Sequence, residues 1–169
     1  MNASIENARP TFDSRELRNA FGTFATGVTV ITTSGIDKPV GLTANSFSSL
    51  SLDPPLVLWS LVKASPSLDV FENATHFGVS VLADHQEAVA MQFARPSEDK
   101  FKGIPTEKTE CGVPLIEGAH SHFLCKREFA YDGGDHVIFV GRVLSLSVAE
   151  APPLVFHRGA FTRISAAAA

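Results

Sequence analysis

Residues Gly41–Val57 read GLTANSFSSLSLDPPLV. The apolar and β-branched run Val40–Ala44 predicts a strand. Asn45 and Ser46 interrupt it, and Phe47–Leu50 resume strand character. Asp53-Pro54-Pro55 punctuates, and Leu56–Leu61 follows as a buried strand with no alternation. A polar pair inside otherwise apolar strand sequence must find partners if it is buried. The segment therefore predicts strand–loop–strand, with Asn45 and Ser46 as candidates to meet a cofactor edge.

Working outward, Asp13 with Glu16 three residues on predicts a capped helix. Leu17, Ala20, Phe21 and Phe24 fall on one helical face, and Gly27 is read as its end. Val28–Thr33 reads as a strand. Downstream, Ser65-Pro66-Ser67 opens a short helix through about Glu72. Phe77, Val79 and Val81 alternate as a strand, and Asp84 with Glu87 repeats the capping pattern before Ala88–Phe93. Ser97–Pro114 reads as loop. Phe123, Cys125, Arg127 and Phe129 are placed on one strand face. Asp132-Gly133-Gly134-Asp135 is a turn, followed by strands at Val137–Val148 and Leu154–His157. About seven strands with three short helices, and no strict βαβ alternation, argue for a closed or partly closed β-barrel. Residues 1–12 read as a flexible arm, 13–164 as one domain and 165–169 as a disordered tail.

At 169 residues the chain is long enough to bury roughly 70% of its unfolded surface. A net charge of −4 with no basic stripe argues against nucleic acid. No apolar run approaches the roughly 20 residues that span a bilayer, and the polar N-terminus predicts no signal peptide. Two cysteines, Cys111 and Cys125, make no disulfide framework and read as reduced thiols in a cytoplasmic protein. No G-x-G-x-x-G, Walker, H-E-x-x-H, C-x-x-C or G-x-S-x-G pattern occurs. His120-Ser121-His122 offers two imidazoles on one face, read as an exposed pair, and too few for a metal site. What remains is a concentration of small polar groups in the first sixty residues: Thr26, Thr29, Thr43, Asn45, Ser46, Ser48, Ser49 and Ser60. Such groups suit a heterocycle edge and a phosphate together.

Four stretches, Phe21–Thr33, Gly41–Val57, Phe77–Ala94 and Gly134–Val143, resemble in order and spacing the small flavin reductases of two-component monooxygenases. The resemblance covers residues 13–164. It implies an FMN-binding split β-barrel, a homodimer, FMN or FAD with NADH (or NADPH) as reductant, and a separate monooxygenase that takes the reduced flavin. Hydride transfer from nicotinamide to flavin needs stacked rings rather than a protein nucleophile, so no catalytic side chain is obligatory.

In the family's pattern Ala25, Thr26, Val28 and Thr29 flank the flavin from one turn. Thr43, Ala44, Asn45, Ser46 and Phe47 flank it from another, with Ser49 and Leu50 on the same wall. Ser60, Lys63 and Ser65 resemble the segment at the ring edge or phosphate, and Phe93, Lys100 and Phe101 are further flavin candidates. His136 resembles the histidine that meets the nicotinamide. Phe156, His157, Arg158 and Gly159 resemble the segment that closes over the dinucleotide, with Arg158 on its pyrophosphate. Phe161 stands where relatives often carry Tyr, and His85 and Arg95 also depart from the common choices. Competing readings are a flavin-storage module without turnover, and a reductase whose electrons reach ferric iron or a cobalt corrinoid. A pyridoxamine-phosphate-type oxidase would want an Arg and Lys cluster that this chain does not show.

Overall fold

The computed structural model describes residues 11–164. The expected arm, save Thr11 and Phe12, and the expected tail lie outside them. Helix α1 (Ser14–Phe21) starts as the capping pattern requires. The Asp13 carboxylate accepts from the backbone N–H of Arg15 and Glu16 at 2.7 and 2.8 Å, and Glu16 accepts from the Asp13 N–H at 2.8 Å. The helix ends at Gly22 rather than Gly27, because strand β1 (Thr26–Gly27) pairs with Phe156 and Val155. Its apolar face is not buried in this chain: Phe21 and Phe24 are 70% and 78% exposed.

The strands β2 (Thr29–Thr33), β3 (Val40–Ala44), β4 (Ser48–Leu52), β5 (Pro55–Val62), β6 (His76–Val81), β9 (Ser121–Gly133) and β10 (His136–Val148) form one sheet. Its order is β3-β2-β6-β9-β10-β5-β4, with every pair antiparallel. The two edges are thus consecutive in sequence, joined by Asn45–Phe47 alone. Laid flat, six strand spacings would hold those edges about 29 Å apart. Four Cα steps from Ala44 to Ser48 reach about 14 Å at most. The short link therefore forces the sheet to curl into a split barrel. At the link, continuing the β4–β5 register, the Ser46 hydroxyl accepts from Ser60 N–H at 3.0 Å and donates to Ser60 C=O at 3.2 Å. Ser46→Ala strands both groups in a half-buried seam, so it is expected to cost about 1–3 kcal/mol. Urea unfolding should show a lower midpoint at unchanged slope.

The barrel interior holds Trp59, Phe71, Phe77, Phe139, Ile31 and Val79, all essentially without exposed surface. Trp59 stacks on Phe139 at 4.7 Å between ring centres and meets the edge of Phe71 at 5.0 Å. Gly141 belongs here by necessity: a Cβ would sit 2.3 Å from the Phe77 ring. Cys125 lies in the same core, and burial pushes its thiol up to about 12, which keeps it inert. A second core joins Val28, Val30, Leu82 and Leu154 to helix α3 (Glu87–Ala94) through Ala90 and Phe93.

The remaining elements are helix α2 (Leu68–Asn73), the pair β7 (Thr106–Lys108) and β8 (Pro114–Ile116), and the hairpin β11 (Val155–His157) and β12 (Ala160–Thr162). The pair β7–β8 begins inside the stretch expected to be loop. The capping pattern expected at Asp84 does not form. Gln86 takes the cap position, and its buried amide is engaged with Ala83 N–H and Glu117 C=O at 3.0 and 2.9 Å. Asp84 faces Arg163 instead. On β9 a bulge at Glu128 breaks the expected face, leaving Cys125 buried and Phe129 48% exposed. The expected exposed imidazole pair is also different. His122 is buried against Ile116 C=O at 2.7 Å, and His120 bonds Ala151 C=O. Among the described residues no three His, Cys, Asp or Glu cluster as a metal site would need.

Candidate functional site

A cleft of about 730 Å³ opens between the end of α1 and the β11–β12 hairpin. Its lining brings Thr26 and Asn45 together with Arg158 and Gly159, joining flavin and dinucleotide candidates far apart in sequence. Arg158 and Gly159 form the two-residue hairpin turn, with φ of 50° and 82°. Positive φ at both positions is what such a tight turn demands, and it strains the non-glycine residue. The Arg158 N–H donates to Gly22 C=O at 2.7 Å, which pins the turn against α1. The Thr26 hydroxyl is buried without a partner. Asn45 is exposed, so its amide is available to a ligand rather than consumed by the fold.

From Asn45 the site continues along the barrel seam. Ser46 holds Ser60, which lies opposite Ile138. Two residues along that strand, about 7 Å, is His136, paired with Val62 and Gly133. Its Nδ1 lies 2.6 Å from the Asp135 carboxylate, so Asp135 orients the ring. Lys63 clasps the same turn: its N–H donates to Asp135 C=O at 2.8 Å and its ammonium to Asp132 at 2.6 Å. Hydrogen bonds from Lys63 and His136 hold the Asp132 and Asp135 carboxyls below the usual aspartate range. The Lys63 ammonium is thus engaged by Asp132, not presented to a phosphate.

The other candidates do not line this cleft. Val28 and Ala44 are core, and the Thr29 and Thr43 hydroxyls donate to Ala44 and Ala90 carbonyls at 2.7 and 2.6 Å. Phe93 has no exposed surface and meets Phe101 edge-on at 4.9 Å. Gly41 is fixed by it, since a Cβ would lie 2.6 Å from that ring. Lys100 donates to Phe93 C=O at 2.8 Å, and burial lowers its pKa. With Phe101 it lines a separate hollow of about 180 Å³ beside Lys38 and Ser67. Phe47 packs on Phe123, the Ser65 hydroxyl accepts from Ser67 N–H, and His157 is half-buried. Ala25, Ser49 and Leu50 remain exposed. The cleft also uses Phe156, from the segment expected to close over the dinucleotide, and Arg18, Phe21 and Phe24, which sequence reasoning did not assign to the site. The signal for Phe21 and Phe24 was the apolar face read on α1 together with Leu17 and Ala20.

The orphaned Thr26 hydroxyl, the free Asn45 amide, the aromatic walls and the two arginines fit a planar heterocycle carrying phosphate. A curled antiparallel barrel with such a cleft beside its seam defines a split-barrel nucleotide-binding protein. Residues 21–165 match the flavin reductase like domain, and the chain belongs to that family. It is 46% identical over 153 residues to the FMN reductase (NADH) SmoA of Agrobacterium fabrum, covering 90% of this chain and 87% of SmoA. It is 46% identical over 148 residues to the reductase component of the flavin-dependent trigonelline monooxygenase of Acinetobacter baylyi. That match covers 87% of this chain but 48% of the relative, so the chain spans about half of that protein. Among solved structures, the NADH:FAD oxidoreductase SgcE6 of Streptomyces globisporus, in complex with NAD and FAD fragments, superposes with a TM-score of 0.88. Identity there is 40%, covering 94% of this chain and 98% of that one.

Proposed function

We propose that this chain is an NADH:flavin oxidoreductase that reduces FMN or FAD and supplies reduced flavin to a separate monooxygenase. The observation that carries this reading is the unpartnered Thr26 hydroxyl beside the free Asn45 amide in the arginine-lined cleft. The relatives named above, an NADH-dependent FMN reductase and a monooxygenase reductase component, support it. Bound flavin supplies a ring that accepts hydride from nicotinamide. The chain's own residues bind and orient. Thr26 and Asn45 hold polar edges, the seam at Ser46–Ser60 forms a rigid wall, and His136, oriented by Asp135, meets the carboxamide. Arg158 takes phosphate charge. NADPH is a second reductant to be compared in the same assay.

Exposed apolar residues support a homodimer as the assembly. Leu50 and Leu52 on edge strand β4 and Leu144, Leu146 and Val148 on β10 are exposed, from 49% to 94%. A second copy covering this stripe removes an apolar patch that monomers rarely show. Among the described residues no helix is long and apolar enough to cross a membrane. The free thiols Cys111 and Cys125 suit the cytoplasm.

Steady-state oxidation of NADH with added FMN, FAD or riboflavin tests the activity. No flavin-dependent consumption of NADH or NADPH overturns it in favour of a storage module. Asn45→Ala is expected to raise the flavin dissociation constant five- to tenfold, the worth of about one hydrogen bond. Fluorescence quenching measures it, and unchanged affinity removes Asn45 from the site.

A further inference from the structure

We propose that Arg18 is the second arm of a clamp, with Arg158, on the diphosphate of a dinucleotide in the α1–hairpin cleft. The inference rests on the reductase reading and names a residue that reading does not contain. Among the described residues, Arg18 and Arg158 are the only charged side chains lining the cleft. Both are exposed, and neither joins an ion pair among the described residues. Two uncompensated guanidiniums in a chain of net charge −4 select an anion. The surroundings sharpen the class. Phe21, Phe24 and Phe156 supply aromatic faces next to the charges, which suits a nucleotide rather than a bare inorganic ion.

The placement also answers an electrostatic problem. The cleft opens at the C-terminal end of α1, where the helix dipole disfavours an anion. The Arg158 N–H occupies the Gly22 carbonyl, and the two guanidiniums reverse the local sign. A planar fork on either side matches the paired phosphates in a way that one lysine would not. The strained turn at Arg158 holds one arm in place, and the last turn of α1 holds the other.

Both NADH and FAD carry a diphosphate, so the test uses probes that separate them. ADP-ribose binding is measured by calorimetry on the wild type, Arg18→Ala and Arg18→Lys. Arg18→Ala is expected to weaken ADP-ribose about tenfold or more, with partial recovery in Arg18→Lys. If NADH is the source, the KM for NADH rises about as much with FMN as acceptor. The KM for reduced nicotinamide mononucleotide, which has no diphosphate, then stays within twofold. If FAD is the source, its dissociation constant rises while that of FMN does not. Unchanged ADP-ribose binding overturns the clamp, as does equal weakening of mononucleotide and dinucleotide. A wild type that binds ADP-ribose but oxidises no NADH sinks the reductase reading and leaves the clamp standing.

Discussion

Trp59→Ala is expected to lower the free energy of unfolding by about 3–5 kcal/mol. This removes a large part of the 5–15 kcal/mol typical of a domain. Trp59 has no exposed surface and is stacked on Phe139, with Phe71 and Phe77 against its edges. Three aromatic rings cannot collapse into the volume an indole leaves, so the cavity persists. The melting temperature should fall by roughly 10 °C, at 2–4 °C for each kcal/mol in a chain this size. Trp59→Phe behaves differently. The indole N–H is buried without a partner, so the smaller ring removes an unsatisfied donor along with some volume. Its cost should stay near 1 kcal/mol. Denaturation followed by circular dichroism compares the two, and equal losses would show that the orphaned N–H carries no penalty.

His136→Ala is expected to raise the KM for NADH about 30-fold, the combined worth of a ring contact and a hydrogen bond. Flavin affinity should stay within twofold, because the residues assigned to the flavin edge lie across the seam. Asp135→Asn should move the same KM by less, since Asp135 acts only by orienting the imidazole through its 2.6 Å contact. Initial-rate kinetics at saturating FMN separate the terms. An unchanged KM in His136→Ala would remove it from the nicotinamide site. A loss confined to flavin affinity would place the imidazole at the flavin instead.

The strands were legible where sterics decide them. Val40–Ala44 is found as read, and the Gly134–Asp135 turn joins two long strands as the glycines demand. The start of α1 was legible because a capping box is local chemistry. Its end was not. Gly22 and Gly27 are both plausible stops, and the choice was made by Phe156 pairing with Thr26, a contact 130 residues away. The same distance hid the cleft: nothing local tells that Arg18 and Arg158 line one cleft. Lys63 was expected at the ring edge or phosphate because its turn resembles the family's segment there. Asp132, its actual partner, is visible only once the β9–β10 turn folds back. Phe93 shows the converse. Helical spacing reads equally as core or as ligand contact, and only the packing against Phe101 beside Gly41 decides.

The three-residue link between the barrel's edges also sets where the molecule opens. Residues Asn45–Phe47 belong to no strand ladder, and the Ser46 hydroxyl ties them to Ser60 on β5. Amide hydrogen exchange should therefore be fastest along Asn45–Phe47 and the facing part of β5, through local opening well below the global unfolding energy. A ligand gripping both lips closes that opening. Occupancy would then be readable as slowed exchange at Ser60, and the apo barrel would be the more readily cleaved by a protease at this one hinge.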